Sequence, residues 1–189
     1  AEDDGNACAR TIDLVLKGKD DPRVYRRRSD KKRALLYPGP LNPNGVTTSF
    51  IALLSKLDYS RWDIAVILPE DGKNREFQTR LDRRAGVFYL GAPDGFSFAE
   101  YTRHVKFIKQ GAYRVEQLRR VFADIHFDIV VNFHGYQAGD AARFVFGGSA
   151  DRRVIFLHND LERDRVIKQP QLRSVFSLYK FYDTLFCVS

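Results

Sequence analysis

The chain has 189 residues, 44% hydrophobic and 13% aromatic, enough for one domain with a substantial core. Its formal charge is +7, from 31 basic and 24 acidic residues, which favours a phosphate-bearing partner: nucleic acid, an anionic membrane surface or a phosphorylated substrate. No apolar run approaches the ~20 residues of a membrane span, no secretory signal is visible, and Cys8 and Cys187 have no metal-type spacing, so the expected setting is reduced and cytoplasmic.

The first predicted element is a short helix in "NACARTIDLVLKG". Ile12, Val15 and Leu16 form its apolar stripe, and Gly18 suits its stop. The following "KDDPRVYRRRSDKKR" is charged and reads as a linker or extended arm. This layout is expected of the end of a preceding domain, so the boundary is drawn between 1–32 and 33–189. The sequence contains no methionine, as expected of a processed protein or a piece of a longer one.

From Arg33 onward the chain alternates. Six apolar runs predict buried strands: "RALLYP", "WDIAVILP", "GVFYLG", "FDIVVNF", "RVIFLH" and "DTLFCVS". Within the last, Cys187 reads as a small buried hydrophobe. Helices are predicted over 46–57, 74–84, about 97–125 with a break near Gly111, 138–146 and 169–181. This alternation predicts an α/β fold, a Rossmann-like doubly wound parallel sheet. Ligands of such sheets bind beyond the carboxyl ends of the strands. The strand ends at Pro38, Phe133 and His158 should therefore open on one edge.

Three of those ends carry chemistry. "PGPLNPNG" leads straight into a helix. Gly45 lets a ligand approach the backbone, and the N–H groups of Val46, Thr47 and Thr48 should point into the loop with the positive end of the helix dipole behind them. Thr47, Thr48 and Ser49 add hydroxyls. The loop is neither a Walker loop nor G-x-G-x-x-G, and a plain βα turn remains the competing reading. In "VVNFHGYQAGD", Gly135 and Gly139 let the loop turn sharply and expose His134 as a donor or an acid–base group. In "LHND", His158, Asn159 and Asp160 offer a donor, an amide and a carboxylate, although Asp160 also suits a helix cap.

His104 and His126 lack companions at metal spacing, so no metal is expected, and no cofactor is expected either. The segment "YTRHVKFIKQGAYRVEQLRR" carries Arg103, Lys106, Lys109, Arg114, Arg119 and Arg120 among aromatics. It reads as a solvated helix face or a surface for anionic lipid headgroups. No nucleic-acid-binding signature is present, so nucleic acid is not expected as a partner.

The order of these motifs is familiar. "RALLYPGPLNPNGVTTSFIALLSKLDYSRWDIAVILPEDG" resembles the opening of GT-B fold glycosyltransferases of the large retaining family 4. "FDIVVNFHGY" is similar to that family's strand ending in a functional histidine, and "RVIFLHND" with "YDTLFCVS" to the last strands of its first domain. "NGVTTSF" is closer still to large proteins identified as CDP-glycerol glycerophosphotransferases of teichoic acid synthesis. The resemblance covers residues 33–189 and implies the acceptor-side domain of a transferase at the inner membrane face. The implied donor is an NDP-sugar or CDP-glycerol, and the implied acceptor a polymer or lipid-linked hydroxyl. The implied partner within a longer chain is a C-terminal GT-B domain bearing an E-x7-E motif, which this sequence lacks. Implied roles fall on Gly39, Asn44, Gly45 and His134, with His158, Asn159 and Asp160 behind them. The isolated chain is then expected to be inactive. Two other functions compete: a non-catalytic domain that holds the polymer for a neighbouring enzyme, and a stand-alone nucleotide-binding protein.

Overall fold

The computed structural model describes residues 6–18, 30–69, 74–91, 96–103, 113–122, 125–167, 170 and 172–188. The expected linker lies mostly outside these residues. So do His104, Lys106, Lys109 and the helix break at Gly111. The chain divides into two units, Ala1–Asp30 and Lys31–Ser189. The described part of the first is one helix, α1, over Ala7–Val15, on which Ile12 and Val15 are exposed.

The second unit is built on six strands: β1 Lys32–Tyr37, β2 Trp62–Pro69, β3 Gly86–Leu90, β4 His126–Asn132, β5 Ser149–Leu157 and β6 Thr184–Cys187. Every described pairing is parallel, and the order across the sheet is β3-β2-β1-β4-β5-β6. The fold is therefore α/β and Rossmann-like. The chain winds outward from β1 in one direction, then returns to β4 and winds outward in the other. The reversal leaves a topological switch point between β1 and β4, where the register pairs Tyr37 with Asn132.

The helices are α2 Gly45–Lys56, α3 Arg75–Thr79, α4 Phe98–Arg103, α5 Tyr113–Val121, α6 Ala138–Phe146, α7 Leu161–Ile167 and α8 Leu172–Phe176, with a 3₁₀ turn at Tyr179–Phe181. The expected 74–84 helix is shorter, because Ala85 N–H bonds Asp82 and the Asp82 carboxylate accepts from Arg84 N–H, closing a turn instead. Residues 169–181 break into α8 and the 3₁₀ turn. The sequence reading drew no helix over α7, although it offered Asp160 as a helix cap.

Both faces of the sheet are covered, which is why its strands are apolar without alternation. Ala34 and Leu36 pack on one face with Phe50 and Leu54 of α2. Leu35 and Tyr37 pack on the other with Leu118 of α5 and Phe144 of α6. Beyond β4, Ile155 meets Ala141, Val145, Leu172 and Val175. Phe50 and Leu54 are fully buried, each contributing about 2–3 kcal/mol by leaving water. Burial fades toward the sheet edges. Cys187 on edge strand β6 is exposed, correcting its expected burial: β6 has a described neighbour on one side alone.

A polar network is sealed under α5 and α6 at the carboxyl end of β1. The Tyr37 hydroxyl donates to Asp140 Oδ2 at 3.0 Å, and Arg114 Nη1 donates to Asp140 Oδ1 at 3.1 Å. Burial, reinforced by the Asp140 charge, pushes the Tyr37 phenol far above its usual range and keeps it a donor. Asp140→Ala should cost about 2–3 kcal/mol, since it strands the Tyr37 hydroxyl and leaves the Arg114 guanidinium with Gln137 Oε1 but no carboxylate. Tyr37→Phe should cost about 1 kcal/mol. Guanidinium chloride melts of both variants test this; equal losses would mean that the ion pair adds nothing beyond the tyrosine bond.

Candidate active site at the β1–β4 switch point

The site begins with a cap. Asn44 precedes α2 in extended backbone, and its side-chain Oδ1 accepts from Thr47 N–H at 3.0 Å. Its carbonyl accepts from Thr48 N–H at 3.2 Å. Of the N–H groups expected to face a ligand, those of Thr47 and Thr48 are thus already spent. Gly45 and Val46 keep N–H groups that no described residue accepts from. Thr47 itself is buried. The stiff loop thus leaves two free donors at the positive end of a twelve-residue helix.

The loop after β4 is held more tightly. Asn132, fully buried, accepts Gly135 N–H on its side-chain oxygen at 3.1 Å and closes a turn around Phe133 and His134. Phe133 N–H donates to Tyr37 O at 2.8 Å. Gly135 sits at φ 72°, and a Cβ there would lie 2.1 Å from Phe156 O. No other residue fits that place without moving β5. Gly39, at φ 76°, is packed against the His134 ring: a Cβ would come within 2.6 Å of its Cδ2 and Cγ.

The loop after β5 serves the same turn. His158 Nε2 lies 2.6 Å from Phe133 O. A carbonyl can only accept, so His158 carries its proton on Nε2 and is used to hold Phe133. Asn159 Nδ2 donates to Asp164 Oδ2 at 3.1 Å. Asp160 Oδ1 accepts from Arg163 N–H at 3.0 Å, which makes it the cap of α7.

Together these loops enclose a cleft of about 450 Å³, within the usual range for small-ligand sites. Asn44, Gly45, His134, His158 and Asn159 line it, so the structure brings five of the sequence-selected residues to one place. Gly39 stands behind the His134 ring. Thr47 and Asp160 are not in the lining. Ser49, expected to add a hydroxyl, is in the wall, whereas sequence reading missed Tyr136, whose ring centroid lies 5.4 Å from that of His134. It also missed the supporting Asn132. The available signal was position: Tyr136 is two residues past the histidine, and Asn132 ends the strand before it.

Among the described residues, no Lys, Arg, Asp or Glu lines the cleft. Burial lowers the His134 pKa; Asp140 opposes that shift and His158 adds to it. Burial raises the Tyr136 phenol, with a contribution from Asp164. Burial thus favours the neutral forms of His134 and Tyr136, beside the amides of Asn44 and Asn159 and the Ser49 hydroxyl. His126 lies at the opposite end of the strands, 2.8 Å from Ser149 Oγ and 2.9 Å from Asp151 Oδ1. Among the described residues, no group of three His, Cys, Asp or Glu could hold a metal ion. No described helix is long and apolar enough to cross a membrane.

No family model matches the chain, and no curated protein matches it.

His134 should titrate below the ordinary histidine midpoint of about 6.5. The unfolded chain binds that proton more readily, so His134 contributes stability that is complete above about pH 6.5 and is lost as pH falls through the folded midpoint. A proton NMR titration of the ring, paired with thermal melts across that window, tests both statements. Gly39→Ala should keep the fold, cost about 1–3 kcal/mol in strain, and shift the His134 ring resonances as the methyl displaces it. Unchanged resonances would show that the ring is not seated on Gly39.

Proposed function

We propose that residues 33–189 form the acceptor-side half of a GT-B type transferase that builds a teichoic acid-like cell-wall polymer at the inner face of the membrane. The reaction moves a glycosyl or glycerophosphate group from a nucleotide-activated donor, an NDP-sugar or CDP-glycerol, to a hydroxyl of a polymer or lipid-linked acceptor. A second Rossmann-like unit in a longer chain supplies most of the donor contacts.

The observation that carries this reading is the meeting of three separate loops at the switch point. The α2 N-terminus, His134 and the "LHND" loop line one cleft. Sugar or polyol hydroxyls suit its neutral amides, serine hydroxyl and tyrosine ring. The free N–H groups of Gly45 and Val46 suit a phosphate oxygen at the rim. Catalysis then rests on alignment of the acceptor hydroxyl and on donors aimed at developing charge. The Pro38–Pro40–Pro43 loop limits the entropy lost on closure.

One observation favours a second reading. Among the described residues, the cleft lining holds no carboxylate, so the same fold would serve as a non-catalytic domain that retains the polymer for a neighbouring enzyme.

In a chain that also contains a second Rossmann-like unit, His134→Ala should lower kcat/KM for transfer by about a hundredfold or more. Gly45→Val should block approach to the α2 N-terminus while leaving the core intact. Both variants should keep their thermal melts. The 189-residue chain alone should give no transfer from CDP-glycerol or NDP-sugars. Transfer by that chain, or full activity in both folded variants, overturns the half-enzyme reading. Retained polymer binding without transfer in the longer chain selects the docking domain.

A further inference from the structure

His134 faces a choice that its surroundings decide. Its ring lines the cleft, and its Nδ1 is buried with no hydrogen-bond partner. Nε2 is not among the buried orphaned atoms. Gly39 covers the Cδ2–Cγ side of the ring, so the imidazole is seated between a backbone wall and the cleft.

A neutral imidazole carries one proton. On Nδ1, that proton would make a buried donor with no acceptor, an arrangement that folded proteins rarely tolerate. On Nε2, it leaves a bare lone pair in the buried position and points the N–H at the cleft. An unfilled lone pair is the lesser penalty. The doubly protonated ring would bury both a charge and an orphaned donor. Burial disfavours that form, as does the nearby His158; Asp140 alone among the charged groups acting on the ring favours it.

We infer that His134 meets its ligand as a neutral imidazole protonated on Nε2, a hydrogen-bond donor to a ligand oxygen and not the base that deprotonates the acceptor hydroxyl. The atom opposite it must then be an acceptor: a hydroxyl, carbonyl, ring or phosphate oxygen. No bond to His134 forms or breaks, and the ring contributes a fixed dipole toward oxygen that gains negative charge. His158 shows the same tautomer for a different purpose, since its Nε2–H holds Phe133 O. The catalytic role of the donor rests on the transferase reading above; the tautomer does not.

The test uses the 189-residue chain with ¹⁵N-labelled histidine at pH 8. Only four histidines occur, so His134 is assigned by removing the others one at a time with His104→Gln, His126→Gln and His158→Gln. Long-range ¹H–¹⁵N correlation should place His134 Nδ1 in the range of an unprotonated ring nitrogen and Nε2 in that of a protonated one. The reverse pattern, or the averaged pattern of two exchanging tautomers, overturns the inference. A second measurement reads the role in the two-unit enzyme with CDP-glycerol as donor. Glutamine presents an amide N–H near the place of Nε2–H, so His134→Gln should retain at least about tenfold more kcat/KM than His134→Ala. Equal losses mean that His134 works as a base. If no transfer occurs at all, the transferase reading fails while the NMR pattern still decides the tautomer.

Discussion

Phe133 is held at both ends of its own residue. Its N–H donates to the last carbonyl of β1, and its carbonyl receives the imidazole N–H of His158 beyond β5. One residue thereby ties together three strand ends that lie far apart in the chain. Its ring is tied as well, 5.3 Å from Phe50 of α2 and 4.6 Å from Phe156 of β5. A displacement of any of these elements would move the peptide that carries His134. The position of the candidate catalytic ring is thus a property of the whole parallel sheet.

That constraint explains the glycines around it. The turn closed by Asn132 needs a left-handed residue at Gly135, because β5 backbone occupies the space of a side chain. Behind the ring, Gly39 makes room for the imidazole itself. Both positions are close approaches between neighbouring strand ends, and they are compatible because β1, β4 and β5 run the same way.

The two faces of the switch point divide the electrostatic labour. On one, Tyr37, Asp140 and Arg114 satisfy one another under two helices, where an unpaired member would be costly. On the other, the described lining of the cleft consists of amides, a serine, two histidines and a tyrosine, beside proline, valine and glycine. A site of this kind selects by hydrogen-bond geometry more than by attraction.

Much of this was determined locally and could be read from the sequence. Continuous apolar runs such as "DIAVIL" require burial on both faces, and with intervening helices they admit a parallel sheet and little else. Loop chemistry at strand ends marked Gly45, His134 and His158 because parallel strands put those ends on one edge. What the sequence could not determine depends on which atoms meet across strands. Asn44 spends its side chain on Thr47, Asp160 caps α7, His158 turns inward to Phe133, and Cys187 lies exposed because β6 is an edge. Asn132 and Tyr136 gain their roles only from neighbours many residues away or around a turn. A residue's type limits which hydrogen bonds it can make. Tertiary structure decides which of them it makes, because an atom already bonded within the protein is no longer free for a ligand.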